Sequence, residues 1–315
     1  MKHIFIVNPA AGKQDATDFV RQSVESLGID IDYEIYRTAG PLDATKYIKS
    51  VLENESGEVR FYSCGGDGTL NEVVNGVVGY DNASITVFPC GSGNDFIKYY
   101  GSFEDFSNLA DLVTAKSHKI DVLKVGDKYS VNAVHFGFDS FVLKTMVKVK
   151  RKALIGGKNA YTTGVVTALL KGMKSNCKII VDGTPLSAEQ FLLCTLTNGK
   201  FVGGAYKCAP RSSNCDGLIE ICHIKPVSRF KFLTLMNAYK MGTHLEDKRF
   251  EKYITYLRGK EVLLDGGDDF YVSFDGELVK TDSCKVEILE RVLNFAVPDK
   301  LMMDAEQKEE AEVVL

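Results

Sequence analysis

The chain has 315 residues, of which 45% are hydrophobic and 25% charged, values that indicate a soluble globular protein large enough for two domains. A net charge of −4 argues against general nucleic-acid binding. No apolar run reaches the roughly 18 residues of a membrane-spanning helix, and the N-terminus lacks the pattern of a secretory signal. The eight cysteines form no CxxC pair and the five histidines lack metal-type spacing, so we expect buried, reduced thiols in a cytoplasmic protein.

The first part of the chain alternates between two hydrophobic periods. Short runs rich in β-branched and aromatic residues predict strands, namely HIFIVNP, VRFYSC, SITVFPC and HKIDVLKV. Segments with helical spacing separate these runs: in QDATDFVRQSVESLG the side chains of Phe19, Val20, Val24 and Leu27 fall on one face, and PLDATKYIKSVLENESG repeats the arrangement. The alternation predicts a parallel sheet in an α/β domain, which we place at residues 1–123.

The rest of the chain contains strand-like runs that follow one another closely, separated by turn signals such as Asp182-Gly183. This pattern predicts an antiparallel, β-sandwich-like domain at residues 124–300, with helical insertions near 140–173 and 226–245. Its last two runs, CKVEILE and RVLNFAVP, are interpreted as separate strands, and we leave open that the final one returns to the first domain. Residues 301–315 are predicted to form an acidic tail.

A glycine-rich turn follows the strand VRFYSC and leads directly into a helical pattern. Gly65, Gly66 and Gly68 let backbone N–H groups approach phosphate oxygens at a strand end, where a helix N-terminus also favours negative charge. A plain strand-to-helix turn would explain one or two of these glycines, and neither the Walker motif nor the dinucleotide fingerprint occurs. Asp67 in this turn would repel a phosphate unless a cation lies between them, which predicts a Mg²⁺–nucleotide site and phosphoryl transfer.

Two further loops repeat the theme at other strand ends. The loop after SITVFPC contributes Gly91, Ser92, Gly93, Asn94 and Asp95. The loop after the first strand contributes Asn8, Pro9, Gly12 and Lys13. Because the carboxyl ends of parallel strands meet at one edge of a sheet, we expect the three loops to converge on one site.

Six motifs follow one another along the chain, namely NPAAGK, GGDGTLNEVVNG, GSGNDF, KIDV, YKCAPRSSNCDGLIEI and FDGE. Over residues 4–296 they resemble the diacylglycerol kinase catalytic family, in the branch of soluble bacterial lipid kinases that is also similar to sphingosine and ceramide kinases. GGDGT alone is shared with NAD kinases and phosphofructokinases, whereas GSGNDF and FDGE make the resemblance to lipid kinases sharper. Ser92 stands where many members carry threonine, and Ile97 where many carry alanine.

The resemblance implies roles for individual residues. ATP, the co-substrate, would be bound by Asn8, Thr38, Gly65, Gly66, Asp67, Gly68, Thr69, Asn71, Glu72, Ser92 and Asn94. The Mg²⁺ of the nucleotide would involve Asp67 and Asp95, supported by Asp121. A second, structural Mg²⁺ would lie at Asp216 and the backbone carbonyls of Ser213 and Leu218. Asp275 and Glu277 would carry the base function.

Ordinary structural interpretations compete with some of these roles. Asp121 could end a strand or pair with a lysine, Asp216 could fill a turn, and Asp275-Gly276 could form a β-turn. We favour a base function for the FDGE motif because the carboxylates of the glycine loops would be occupied with Mg²⁺. In an extended Asp-Gly-Glu, moreover, Asp275 and Glu277 would point to the same face.

A basic segment interrupts the predicted β domain, because residues 140–181 contain no acidic residue. Its basic residues are Lys144, Lys148, Lys150, Arg151, Lys152, Lys158, Lys171, Lys174 and Lys178. Apolar residues interleave with them, namely Val142, Leu143, Met146, Val149, Val165, Val166, Leu169 and Leu170. The composition suits peripheral association with an anionic membrane, and the alternative is a solvated helical pair that packs its apolar side on the β domain.

The predicted reaction is in-line transfer of the γ-phosphoryl of ATP to a lipid hydroxyl, foremost diacylglycerol, in a crevice between the two domains. Asp275 would accept the hydroxyl proton, and Glu277 would orient or assist it. A sphingoid base or undecaprenol could replace diacylglycerol, and the family often forms homodimers. Two alternatives stay open: an NAD kinase-like enzyme with a soluble substrate, and a non-catalytic module that senses nucleotides or docks on membranes.

Overall fold

The computed structural model describes residues 1–91, 93–152, 167, 173–186 and 189–302, and for residues 146–152 it describes the backbone alone. The chain divides into two compact units. Unit 1 comprises Met1–Val122 together with the chain from Glu290 onward, and unit 2 comprises Leu123–Leu289. Within the described ranges no helix is both long and apolar enough to cross a membrane.

A parallel sheet forms the centre of unit 1. Its strands are β1 (Lys2–Val7), β2 (Tyr33–Arg37), β3 (Val59–Cys64) and β4 (Ala83–Val87). They lie in the order β2-β1-β3-β4, and each neighbouring pair is parallel. Every residue of β3 and β4 is buried, as is typical of parallel strands covered on both faces. The arrangement confirms the predicted α/β fold.

The helices of unit 1 are α1 (Thr17–Glu25), α2 (Asp43–Asn54), α3 (Asp67–Val77) and α4 (Leu109–Thr114), with a 3-10 turn at Phe96–Tyr99. α1 buries Val20 and Val24 as its spacing predicts, whereas Phe19 is half-exposed and stacks on Phe88. α3 begins directly after the glycine turn, so the N–H groups of its first turn lie at the end of β3.

The remaining strands are β5 (Ser117–Val125), β6 (Lys128–Ser130), β7 (Ala133–Gly137), β8 (Ser175–Asn176), β9 (Lys178–Val181), β10 (Thr184–Pro185), β11 (Gln190–Phe191), β12 (Leu193–Thr197), β13 (Ile219–Ile224), β14 (Ile254–Gly259), β15 (Glu261–Asp265), β16 (Tyr271–Phe274), β17 (Glu277–Lys280) and β18 (Ser283–Ala296). In unit 2 one antiparallel sheet has the order β14-β13-β12-β7-β16-β17, and β10, β9, β15 and the first part of β18 pair antiparallel in a second layer. Phe136, Ile179, Val262 and Phe274 belong to one core shared by both layers. The antiparallel β domain is therefore confirmed.

The last strand differs from the sequence prediction. CKVEILE and RVLNFAVP belong to the single strand β18, in which Arg291 has a φ of 51°. Val286 pairs antiparallel with Val262 of β15, and Phe295 pairs parallel with Ile85 of β4. The polar residues in the middle of the strand interrupt the apolar pattern and made it look like two strands.

Two helices lie within the predicted insertions, α5 (Phe138–Lys152) and α6 (Arg229–Met241). In α5, Val142 is buried, and Lys144 pairs with Asp269 at 2.8 Å and lies over the Tyr271 ring. Most of the basic segment lies outside the described side chains, including Met146, Lys148, Val149, Lys150, Arg151, Lys152, Lys158, Val165, Val166, Leu169, Leu170 and Lys171. Its membrane role therefore stays a prediction.

All eight cysteines are free thiols, and five of them are buried in the structure. Three histidines are also buried. Burial lowers the pKa of His3, His223 and His244 to about 4 in each case.

The buried histidines predict a loss of stability in mild acid. An unfolded histidine has a pKa of about 6.5, so between pH 6.5 and 4 the unfolded chain binds more protons than the folded one. The free energy of unfolding should therefore fall with the pH in this window, by up to about 1.4 kcal/mol per pH unit for each histidine. Urea denaturation at several pH values measures the slope. His223→Asn should flatten it, and an unchanged slope would contradict the prediction.

Candidate active site

Three glycine loops of unit 1 meet at the carboxyl ends of β1, β3 and β4. Gly91 N and Cys90 N both donate to the carbonyl oxygen of Gly65, at 2.8 and 3.2 Å. A Cβ atom at Gly91 would lie 2.6 Å from Cα of Gly66, and one at Gly12 would lie 2.6 Å from the carbonyl oxygen of Cys90. The backbones approach so closely that only glycine fits at these two positions.

Polar side chains join the first loop to the start of α3. Asn8 Nδ2 donates to Thr69 Oγ1 at 3.1 Å, and Asn8 Oδ1 accepts a hydrogen bond from Ala10 N at 3.0 Å. A Cβ atom at Gly65 would lie 2.2 Å from Thr69 Oγ1, so the threonine hydroxyl packs directly against bare backbone. The hydroxyl is therefore held at the N-terminus of α3, where anions bind favourably.

A cavity of about 210 Å³ opens beside these loops. Four of the predicted nucleotide-binding residues line it, namely Asn8, Thr38, Thr69 and Glu72. Pro9, from the predicted first loop, also lines it, whereas the sequence prediction did not include Ala10, Ala39, Gly40, Pro41 and Ala44. Most of these follow β2, whose sequence YEIYR was not recognised as a strand. The Gly-Pro pair in the next loop was the available signal.

Glu72 has a structural task in this cavity. Its two carboxylate oxygens accept hydrogen bonds from Leu42 N at 2.9 Å and from Ala44 N at 3.2 Å. Leu42 precedes α2 and has a φ of 64°, so Glu72 caps the first turn of α2. The carboxylate shapes the cavity wall, and its contact with a nucleotide stays a prediction.

The carboxylates of Asp67 and Asp95 lie in adjacent loops. Asp67 Oδ1 accepts a hydrogen bond from Asp95 N at 2.6 Å, and the Asp95 carboxylate pairs with Lys98 at 2.6 Å. Asp67 Oδ2 lies 2.1 Å from the point that a Cβ at Gly93 would occupy, so the carboxylate packs directly against the bare backbone of this glycine. Among the described residues no three His, Cys, Asp or Glu side chains form a ready-made metal site. A single carboxylate such as that of Asp67 fits a Mg²⁺ that takes its other ligands from phosphates and water.

Three further predicted residues of unit 1, Asn71, Asn94 and Asp121, are buried. Asn94 has a φ of 54° and its Nδ2 donates to Gly91 O at 3.1 Å, so it shapes the loop from within. Asn71 accepts a hydrogen bond from Asn75. Asp121 is fully buried, and its Oδ1 accepts a hydrogen bond from Arg291 N at 2.7 Å. This contact supports the structural interpretation of Asp121. Ser92 lies outside the described residues.

The Asp216 turn of unit 2 is held by charge pairs. Asp216 Oδ1 accepts a hydrogen bond from Leu218 N at 3.1 Å, and its other oxygen pairs with Arg258. Arg258 also pairs with Glu220 at 2.7 Å, and burial raises the pKa of Glu220. Ser213 lies in the same turn, with its hydroxyl 3.6 Å from the Cys215 thiol. Because a guanidinium already balances the Asp216 carboxylate, a structural Mg²⁺ here stays a prediction from the resemblance alone.

The FDGE motif forms a tight turn between β16 and β17. Phe274 pairs with Glu277, and the two residues between them have positive φ values, 44° at Asp275 and 89° at Gly276. This is the geometry of a two-residue β-hairpin, for which Asp-Gly is a strong signal. The prediction of an extended Asp-Gly-Glu with both carboxylates on one face is therefore wrong.

The two carboxylates of this turn have different surroundings. Asp275 is 7% exposed, and its oxygens accept hydrogen bonds from Val131 N at 3.0 Å and Ala133 N at 3.1 Å. Glu277 pairs with Lys128 at 3.0 Å, and its side chain is 35% exposed. Asp275 thus joins the turn to the chain before β7, whereas Glu277 is the more accessible of the two.

A cavity of about 610 Å³ lies beside the same turn within unit 2. Its apolar lining includes Val125, Ile180, Leu263, Leu264, Val272, Phe274 and Val279. Phe274 directly precedes Asp275, and Lys128, the partner of Glu277, also lines the cavity. The volume falls in the range of roughly 300–1,000 Å³ that is usual for small-molecule sites, and the lining suits an apolar ligand.

Comparison with known proteins agrees with this description. Residues 2–125 match the model of the diacylglycerol kinase catalytic domain, and residues 132–297 match that of the YegS C-terminal NAD kinase beta sandwich-like domain. A diacylglycerol kinase from Bacillus subtilis is 30% identical over 86% of this chain and 88% of its own length.

Two solved structures resemble the fold. A diacylglycerol kinase from Bacillus anthracis has a TM-score of 0.70 and 22% identity, over 95% of this chain and 98% of its own. An NAD kinase from Archaeoglobus fulgidus, solved with ATP, has a TM-score of 0.50 and 12% identity, with 98% of each chain covered. With both domain models matched in order and a relative at 30% identity, the chain belongs to the diacylglycerol kinase catalytic family of lipid kinases.

Proposed function

We propose that this lipid kinase transfers the γ-phosphoryl of ATP to the hydroxyl of diacylglycerol and yields phosphatidic acid. The observation that carries the proposal is the apolar cavity of about 610 Å³ beside the FDGE turn. It offers space for acyl chains, and its lining includes Phe274, which precedes Asp275, and Lys128, which pairs with Glu277. The similarity to the diacylglycerol kinase of Bacillus subtilis supports diacylglycerol as the acceptor.

The glycine loops of unit 1 are proposed to bind the phosphates of ATP. The backbone N–H groups at the N-terminus of α3, which begins at Asp67, lie at the end of β3. They stabilise the negative charge that develops on the phosphates during transfer. The cavity beside Asn8, Thr38 and Thr69 would take the adjoining part of the nucleotide.

Asp67 is proposed to hold the Mg²⁺ of the nucleotide through Oδ2, the oxygen that faces Gly93. When bound, Mg²⁺ neutralises charge on the β- and γ-phosphates and thereby favours transfer. Oδ1 is fixed by the backbone N–H of Asp95, so the carboxylate is already oriented. Lys98 holds the Asp95 side chain in the same loop.

Asp275 is proposed to accept the proton of the lipid hydroxyl. Its two oxygens accept hydrogen bonds from Val131 N at 3.0 Å and Ala133 N at 3.1 Å. The two hydrogen bonds fix the carboxylate, so little orientation is lost when the alcohol binds. Glu277, held by Lys128, is proposed to orient the hydroxyl.

An acceptor assay with labelled ATP tests the proposal. We expect label from the γ-phosphoryl to enter the organic phase with diacylglycerol in mixed micelles, and to do so less with a sphingoid base or undecaprenol. The control without Mg²⁺ should lose the signal.

The same assay with NAD as acceptor examines the main alternative. The NAD kinase resemblance shows the fold alone at 12% identity. Label that enters aqueous NADP and no lipid would overturn the proposal. Label in neither phase, with ATP still bound, would favour the non-catalytic module.

A further inference from the structure

Helix α6 of unit 2 exposes large hydrophobic side chains that no packing contact explains. Phe230 is 83% exposed, Leu233 63% and Met241 64%. Among the large hydrophobic residues that the structure describes, these are the three most exposed. All three lie on the same short helix, so the exposed hydrophobic side chains are concentrated in one place on the surface.

The exposed residues share one face of α6. Phe230, Leu233 and Met241 are spaced by three and eight residues, which places them on the same side of a helix of 3.6 residues per turn. The opposite side buries Phe232, Leu235, Ala238 and Tyr239 in unit 2. A helix that is apolar on both sides is normally covered on both. Among the described residues nothing covers the outer face, which therefore favours contact with an apolar surface.

The charged residues of α6 and its immediate sequence neighbours are all basic. Residues 221–245 contain Lys225, Arg229, Lys231 and Lys240 and no acidic residue, although the whole chain carries a net charge of −4. Arg229 and Lys240 flank the apolar face at the two ends of the helix, and both are exposed. A surface that combines exposed apolar side chains with a cationic border matches the interface of an anionic bilayer.

We propose that the outer face of α6 docks the protein on the surface of anionic phospholipid membranes, with Phe230, Leu233 and Met241 inserted among the lipids. Arg229 and Lys240 then lie at the level of the phosphate groups. A second copy of the chain fits this face less well, because a two-fold contact of α6 with itself would bring like charges together. No residue of α6 lines either cavity.

Vesicle sedimentation without nucleotide tests the proposal. The double variant Phe230→Ser/Leu233→Ser should need about tenfold more lipid for half-maximal binding to vesicles of phosphatidylglycerol and phosphatidylcholine. Lys240→Glu should weaken binding as well, and wild-type binding should fall with salt and with purely phosphatidylcholine vesicles.

Matched controls lie in unit 1. Ile29 and Phe103 are about half exposed, so Ile29→Ser/Phe103→Ser removes a similar pair of surface side chains elsewhere, and Lys49→Glu reverses an exposed charge on α2. Both controls should bind vesicles within about twofold of wild type. Because the substituted residues are exposed, melting temperatures should change little.

Two results would contradict the proposal that the outer face of α6 docks on membranes. One is unchanged vesicle binding by the α6 double variant. The other is a dimer in light scattering that the double variant converts to monomer, which would assign the face to a second copy. The inference does not depend on the proposed acceptor, since binding is measured without ATP, and phosphorylation of a short-chain, soluble diacylglycerol tests the reaction separately.

Discussion

Replacement of Asp67 by asparagine is expected to reduce kcat by about three orders of magnitude or more. The carboxylate is proposed to hold the Mg²⁺ that neutralises the transferred phosphoryl group, an electrostatic contribution of several kcal/mol. Asparagine keeps an oxygen that can accept the hydrogen bond from Asp95 N. The loop geometry should therefore survive while the charge is lost. Asp67→Ala should abolish turnover and also leave Asp95 N without this acceptor.

Measurement of ATP and Mg²⁺ binding by calorimetry separates the charge from the fold. Asp67→Asn should bind ATP without Mg²⁺ about as well as wild type and should lose most of the enhancement that Mg²⁺ provides. Asp81→Asn is a matched control, since Asp81 is an exposed carboxylate of the same unit that pairs only at the surface with Lys119. Near-normal kcat of Asp67→Asn at saturating Mg²⁺ would remove Asp67 from the metal site.

The glycine loops could be predicted from the sequence because their determinants are local. Gly65 and Gly66 directly follow β3, and Gly91 lies four residues after the end of β4. The apolar runs of both strands are unambiguous, and α3 begins at Asp67, directly after Gly66. Parallel pairing then brings these strand ends to one edge of the sheet. Fold class and the convergence of loops follow from these few facts.

Other roles depend on partners that are distant in the sequence. Asp121 meets Arg291, which is 170 residues away, and Glu72 meets Leu42, which is 30 residues away. Neither side chain carries a local pattern that distinguishes a capping or buried carboxylate from one that binds a ligand. The sequence therefore grouped both with the nucleotide site, whereas their observed contacts are structural.

The outer face of α6 shows a different limit of sequence reasoning. A helix with apolar residues on two sides lacks the one-sided pattern that marks a surface helix, so its sequence resembles that of a buried helix. Only the exposure of Phe230, Leu233 and Met241 distinguishes the two. The sequence instead predicts membrane association for the basic segment 140–181, because of its charge. In the described part of that segment, Lys144 forms an ion pair with Asp269.

Replacement of Asp275 by asparagine is expected to lower kcat by at least two orders of magnitude with nearly unchanged ATP affinity. A positioned base typically contributes about 10²–10⁴-fold, and the alcohol must lose its proton as the new bond forms. The observed turn adds a second effect. Two backbone N–H groups, of Val131 and Ala133, face the carboxylate, and asparagine offers only one oxygen to them. The unpaired buried donor should lower the free energy of unfolding by about 1–3 kcal/mol.

Glu277→Gln separates the two effects, because Glu277 is partly exposed and its observed partner is the Lys128 side chain. We expect this variant to keep its stability and to lose less in kcat than Asp275→Asn. Lys128→Met removes the ion pair with Glu277 but keeps the Glu277 carboxylate, so it measures the effect of losing the ion pair alone. Steady-state kinetics, ATP dissociation constants and urea denaturation on all three variants decide the assignment. If Asp275→Asn mainly weakens ATP binding, Asp275 belongs to the nucleotide site. If it loses only stability, the carboxylate is a turn anchor, and Glu277 becomes the remaining base in this motif.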